Sequence, residues 1–187
     1  PQYLTLTDEE MLIKGPLAKI APPLREKEDT DALWYAVAEG LIDTIGSDHA
    51  PYTPEMKGSL EGTIFDVPFG APGVETSLPV LYDEGVNKGR ITICQLAKVM
   101  SENPAKIFGL YPKKGTIQVG SDADIIIFDP ECNWTIKAEN LHSKSCYSLF
   151  EGRPCLGRCT TVIQRGKVIL QDLELKAEYG NARYLGG

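Results

Sequence analysis

A helical stretch that passes into a short apolar run, with one glycine between them, sets the first limit on this chain. From Glu28 to Gly40, Ala32, Leu33, Ala36 and Val37 form an apolar stripe at helical spacing. Asp29 and Thr30 are candidate N-caps and Gly40 is the stop signal. Leu41-Ile42-Asp43-Thr44-Ile45-Gly46 follows at once and reads as a buried strand. Helix, glycine, strand is the α-to-β step of an α/β fold. The run ends in Gly46-Ser47-Asp48-His49-Ala50-Pro51, so polar groups gather at its carboxyl end. That end carries the chemistry in parallel α/β architectures.

Downstream the texture changes twice. Residues 51–73 form a loop rich in proline and glycine, of a length that goes with either a functional role or disorder. Helical patterns return at Val74 to Asp83 and from the N-cap Thr92 to Met100. Ser101 caps a restart through Pro104 that runs to Phe108 and stops at Gly109. After Pro112 short strands take over: Gly115 to Gly120, Ala123 to Phe128, and a hairpin over Thr160 to Leu170 that turns at Arg165-Gly166. The tail from Glu174 to Gly187 is charged and reads as loosely packed. A domain boundary near Pro112 therefore separates residues 1–112 from residues 113–187.

The formal net charge of -7 argues against a partner held through nucleic-acid phosphates. No apolar run reaches the ~18 residues of a membrane span, and no basic amphipathic stretch suggests a membrane surface. The first residues show no signal-peptide pattern. Cys94, Cys132, Cys146, Cys155 and Cys159 are odd in number and lack zinc-ligand spacing, which suits free thiols in a reducing cytoplasm.

The chemistry available in these residues is sparse. There are two histidines, His49 and His142, in unrelated contexts, and no HExxH, GxSxG, P-loop or GxGxxG beside a strand. A self-contained zinc site needs three or four converging ligands. Asp48 and His49 are adjacent, so on a strand they face opposite ways. On the residues alone, Asp48 is a carboxylate capping the next turn and His49 a packed, hydrogen-bonded histidine.

A larger pattern runs through the chain. Pro1-Gln2-Tyr3-Leu4, Ala21-Pro22-Pro23-Leu24-Arg25, Ile42 to Pro51 with its SDHxP ending, Gly70-Ala71-Pro72-Gly73-Val74-Glu75-Thr76 and Asn103 to Leu110 occur in order. They are followed by Lys114-Gly115-Thr116-Ile117, Gly120 to Asp124 and Arg165-Gly166-Lys167-Val168. In this order the segments resemble the C-terminal portion of the cyclic amidohydrolases, the hydantoinases, dihydropyrimidinases, dihydroorotases and allantoinases.

That resemblance implies the C-terminal end of a TIM (β/α)8 barrel over residues 1–112. It implies part of a small β-sandwich, which the family builds from both chain ends, over residues 113–187. It also implies a binuclear centre of divalent metals, usually zinc, held by an HxH pair, a carboxylated lysine, two more histidines and one aspartate. Of these only the aspartate maps here, onto Asp48; the other ligands belong to strands that would precede Pro1, so the chain is expected to be one piece of a longer polypeptide. In the family the metals generate a bridging hydroxide and polarise the amide carbonyl. A carboxylate at their edge shuttles the proton to the departing ring nitrogen. By resemblance Asp48 is both metal ligand and shuttle, and Ala21, Phe69 and Gly70 meet the ring through backbone groups. His49 supports the Asp48 loop, and His142 is structural.

The ring itself is less constrained. Dihydroorotases read DHAPH, but Tyr52 stands at the last position here, and Ala21 stands where they carry Asn. Pro68-Phe69-Gly70 and Glu75-Thr76 are dihydroorotase-like, whereas Ala32-Leu33-Trp34, Leu110 to Thr116 and Glu151-Gly152 are similar to hydantoinase and dihydropyrimidinase. The expectation is a cytoplasmic hydrolase of a hydantoin or dihydropyrimidine-like ring, active as a dimer or tetramer. Dihydroorotase and allantoinase activities stay open as alternatives. Two other classes stay open as well: a dihydropyrimidinase-related scaffold without the metal ligands, and a self-standing chain with another role, against which its uncovered apolar faces weigh.

Overall fold

A computed structural model of the chain describes residues 1–58, 62–178 and 180–185. Short helices fill the first part and one antiparallel sheet the last. In order they are α1 (Gln2–Thr5), α2 (Asp8–Lys14), α3 (Lys27–Ala38), α4 (Pro54–Lys57), α5 (Ser77–Leu81), α6 (Ile93–Ala97), α7 (Asn103–Ile107), β1 (Ile125–Thr135), β2 (Pro154–Gln164), β3 (Lys167–Gln171) and β4 (Glu174–Leu175).

α3 starts a turn before the expected caps. Its N-cap is Glu26, and Thr30 lies inside it with its hydroxyl donating back to the Lys27 carbonyl at 2.7 Å. Of the predicted stripe only Val37 is buried; the other buried positions are Thr30 and Trp34, because Trp34 sends its indole N–H to the Leu4 carbonyl at 2.7 Å and rotates the helix onto α1. Gly40 does end the helix: at φ 71° its N–H reaches Val37, and Leu41 N–H reaches back to Ala36, a Schellman closure.

Leu41 to Gly46 is extended but joins no ladder among the described residues. Leu41 is 73% exposed, which corrects the expectation of a buried strand. A strand forms a ladder only with a hydrogen-bonded neighbour alongside it. Here the run is held only by Ile45 N–H to Val99 O and by the Asn103 side-chain amide to Asp43 O, both 3.0 Å. The same reason removes the predicted strand at residues 115–120, which is turn and bend with Ile117 and Val119 exposed.

Thr92 caps α6 as expected, in a capping box with Gln95. The helix does not restart at Ser101, however. A π-helical turn over Lys98–Glu102 carries α6 directly into α7. Pro104 lacks an N–H to donate, and a widened turn lets the helix pass it without a break. The helix expected from Val74 begins at Ser77 and continues through a second π-helical turn, Tyr82–Asn87.

The sheet has order β1-β2-β3-β4 and is antiparallel throughout. β1 is longer than predicted, and the hairpin turns where expected, with Arg165 at φ 47° and Gly166 at φ 79°. β4 gives the supposedly loose tail two paired residues, Leu175 opposite Leu170 and Glu174 opposite Gln171. The sheet docks on the helices at Gly157, where φ is +100° and an added Cβ would lie 2.6 Å from Tyr82 and 2.7 Å from Phe128. Arg153 adds ion pairs to Glu84 and Asp83.

One buried cluster joins the two parts: Leu6, Ile20, Leu24, Ala71 and Val80 pack with Ile136, Leu149, Phe150 and Cys155. A second gathers Trp34, Val37, Leu81, Tyr82, Leu96 and Val99 beneath the extended run. The run that carries Asp48 therefore rests on a packed base.

Candidate functional site

Asp48 sits just beyond the extended run, with an exposed side chain and a backbone φ of 47°. Left-handed backbone is uncommon outside glycine, though aspartate tolerates it better than most. Among the described residues its carboxylate has no hydrogen-bond or ion-pair partner. It is near enough to Tyr3 for its charge, after burial, to raise the phenol above its usual range. Tyr3 in turn donates to the Pro22 carbonyl at 2.8 Å, which brings the 21–25 segment to the same edge.

His49 is held by backbone groups. Its Nδ1 accepts the N–H groups of Gly73 (3.1 Å) and Val74 (3.3 Å), so in the neutral ring the proton sits on Nε2. A single parallel bridge pairs His49 with Ala71, and Ala50 N–H donates to Ala71 O at 3.0 Å. Residues 49 and 50 are thus fixed to residues 71–74 by contacts that do not use the Asp48 carboxylate.

The residues expected to meet a ring lie around this edge. Ala21 is exposed, and its peptide to Pro22 is cis. Phe69 is 57% exposed, and Gly70 is buried behind it. The N–H of Gly70 already donates to Lys19 O at 3.1 Å. Of the Phe69-Gly70 peptide, the Phe69 carbonyl is the group left without a partner among the described residues.

Two arrangements escaped the sequence reading. Lys57, the last residue of α4 in a stretch where a lysine reads as solvated, is fully buried and donates to three carbonyls, those of Lys19, Pro68 and Gly70, each at 2.8 Å. Glu75 holds His142 twice, through the His142 backbone N–H and through Nδ1, both at 2.8 Å. This second pair ties the loop after Gly73 to the residues following β1. No local pattern announces either, because each joins positions far apart in the chain.

Among the described residues no three His, Cys, Asp or Glu side chains converge as a metal site would require. An unpartnered, exposed carboxylate on a braced strand end fits a single ligand contributed to a larger donor set. No helix among the described residues is long and apolar enough to cross a membrane.

This geometry agrees with what the chain is similar to. The profile of the Amidohydrolase family matches residues 4–169, and the chain belongs to that family. It is 42% identical to the L-hydantoinase of Paenarthrobacter aurescens over 185 residues, covering 99% of this chain and 40% of that protein. It is 40% identical to the D-hydantoinase of Ralstonia pickettii, covering 98% and 41%. The crystal structure of dihydropyrimidinase from Brevibacillus agri NCHU1002 superposes with a TM-score of 0.95 at 38% identity, over 99% of this chain and 41% of that one. The fold is therefore the corresponding part of the amidohydrolase TIM barrel with strands of the adjoining β domain. The chain spans about two-fifths of the length of the relatives it matches.

Proposed function

We propose that this chain supplies the catalytic aspartate and the ring-recognition edge of a metal-dependent cyclic-amide hydrolase. The hydrolase would act on a hydantoin or dihydropyrimidine-like ring. The carrying observation is Asp48: exposed, unpartnered among the described residues, and held at the end of an extended run by contacts that leave its carboxylate free. Residues 1–112 form the barrel portion and residues 113–187 the β portion.

A cyclic amide is a weak electrophile with a poor leaving group. Divalent metals, with zinc the fitting choice for a carboxylate among histidines, supply water activation and carbonyl polarisation when bound. Asp48 is this chain's ligand to them; the histidines and a carboxylated lysine come from outside these residues. The Asp48 carboxylate also takes the proton released on attack at the amide carbon and delivers it to the ring nitrogen as the C–N bond breaks. His49 keeps the strand end in place by accepting two backbone N–H groups. The Phe69 carbonyl and the Ala21 backbone meet the amide edge of the ring.

Tyr52 bears on the choice of ring. Its ring edge packs beside Gly70, within 3.5 Å of where a Cβ there would stand. By resemblance Tyr52 stands where dihydroorotases carry a second histidine for the substrate carboxylate, which supports a ring that lacks that group. The full polypeptide is expected to open hydantoin or dihydrouracil with kcat/KM at least about 10-fold above that for dihydroorotate or allantoin, a gap of ~1.4 kcal/mol. A chromatographic assay of ring-opened product over the four compounds checks this. Preference for dihydroorotate would overturn the substrate assignment, and no opening of any ring would leave a non-catalytic scaffold role of the same fold.

A further inference from the structure

We infer that Lys57 is a positioning residue for ring recognition, its buried ammonium clamping residues 19–21 to residues 68–70 at the edge beside Asp48. The inference rests on the hydrolase reading above and adds a residue to it.

The geometry uses the whole valence of the group. An ammonium has three protons, and Lys57 Nζ has three acceptors at 2.8 Å: Lys19 O, Pro68 O and Gly70 O. These carbonyls come from two segments well separated in sequence from each other and from Lys57. Three carbonyl dipoles pointing at one spot repel one another unless a cation lies between them, so the convergence depends on the charge. Gly70 N–H adds a fourth link between the same segments by donating to Lys19 O at 3.1 Å.

A purely structural plug would not need this chemistry. Burying a cation against neutral dipoles costs solvation that an apolar side chain avoids. Burial, reinforced by the nearby charge of Lys19, brings the Lys57 ammonium down to about 8, which still leaves it mostly protonated at neutral pH. Lys19, whose charge acts on Lys57, works on the same loop. The Lys19 ammonium donates to Val67 O at 2.6 Å and also to Ile64 O, and it lies 4.2 Å from the centre of the Phe69 ring.

What the clamp fixes is the part of the chain that meets substrate. Pro68 O and Gly70 O flank Phe69, so holding both sets the plane of its unpartnered carbonyl. Lys19 O lies two residues before Ala21, the other recognition position. Gly70 leads into Ala71, which pairs with Ala50 and His49, so the same anchor reaches the strand end that carries Asp48. Among the described residues Lys57 makes no hydrogen bond to Asp48 or Phe69; it acts on the ring edge by holding the Gly70 carbonyl.

The test uses the full polypeptide loaded with its metals, with Lys57→Met and Lys57→Arg compared against the unsubstituted protein. Lys57→Met removes the charge at similar length. It is expected to raise KM for the opened ring about 10-fold or more while kcat changes less than about 5-fold and metal content stays the same. Lys57→Arg, which keeps the charge but fits three carbonyls poorly, is expected to recover part of that loss. A filler role predicts instead that folded Lys57→Met protein keeps its KM, and that result overturns the inference. Amide hydrogen exchange on the unsubstituted protein needs no variant to fold: Gly70 and Ala50 are expected to be protected together, and free exchange at Gly70 overturns the clamp. If the unsubstituted protein opens no ring, the hydrolase reading and the role built on it fall together. An active enzyme with an unchanged Lys57→Met KM removes the role alone.

Discussion

Replacing Asp48 with asparagine is expected to lower kcat for ring opening by about 10³-fold or more and to leave the fold intact. The size follows from what the carboxylate does. Positioned proton transfer alone contributes about 10²–10⁴-fold, and the same group is the ligand we propose this chain gives to the metals. The intact fold follows from where it sits. The side chain is exposed and partnerless among the described residues, so its amide isostere breaks no bond and opens no cavity. Asparagine also tolerates the left-handed backbone at φ 47° about as well as aspartate does. Steady-state kinetics beside a thermal melt separate the two effects. A large fall in activity at an unchanged melting temperature is the expected pair; a variant that keeps a tenth or more of the activity removes Asp48 from the mechanism.

Gly70→Ala carries the second large effect, and for the opposite reason. A Cβ at Gly70 would stand 2.4 Å from the Ala50 Cβ, and φ is +124°, where side chains are strained whatever the space. Neither neighbour can yield cheaply. Ala50 is held by its N–H to Ala71 O, and Gly70 by its N–H to Lys19 O and its carbonyl to Lys57. The clash must therefore push the 68–71 segment off the strand end, at a cost of about 2–4 kcal/mol for the strained φ and overpacking together. The displaced peptide includes the Phe69 carbonyl, which we propose meets the ring, and misplacing such a group by about 1 Å can cost ~10²-fold in rate. Both losses are expected in one variant: a lower melting temperature and a kcat/KM reduced about 10²-fold. A variant with native stability would mean that the loop adapts at no cost and that the close approach carries no constraint.

What could be read from the residues, and what could not, divides by range along the chain. Gly40, the Thr92 cap and the Arg165-Gly166 turn were legible because each is fixed by bonds within a few residues. The runs at 41–46 and 115–120 have strand-like composition, but pairing is a property of neighbours, and among the described residues they have none. The passage through Pro104 was misread as a break because proline punctuation does not show that a π-helical turn can absorb it. Asp48 looked like an ordinary turn carboxylate until the order of motifs along the chain was considered. Its extended run and the His49 bracing then supply a physical reason for its place. Lys57 and the Glu75–His142 pair were illegible because every partner lies at least 11 residues away in sequence.

The most direct test of the account is to locate the metal. Crystals of the full polypeptide grown with zinc, measured above and below the zinc absorption edge, give an anomalous difference map. Zinc density is expected in contact with the Asp48 carboxylate, completed by histidine and carboxylated-lysine ligands from outside residues 1–187. A well-formed map in which zinc is absent, or bound without Asp48, would contradict it.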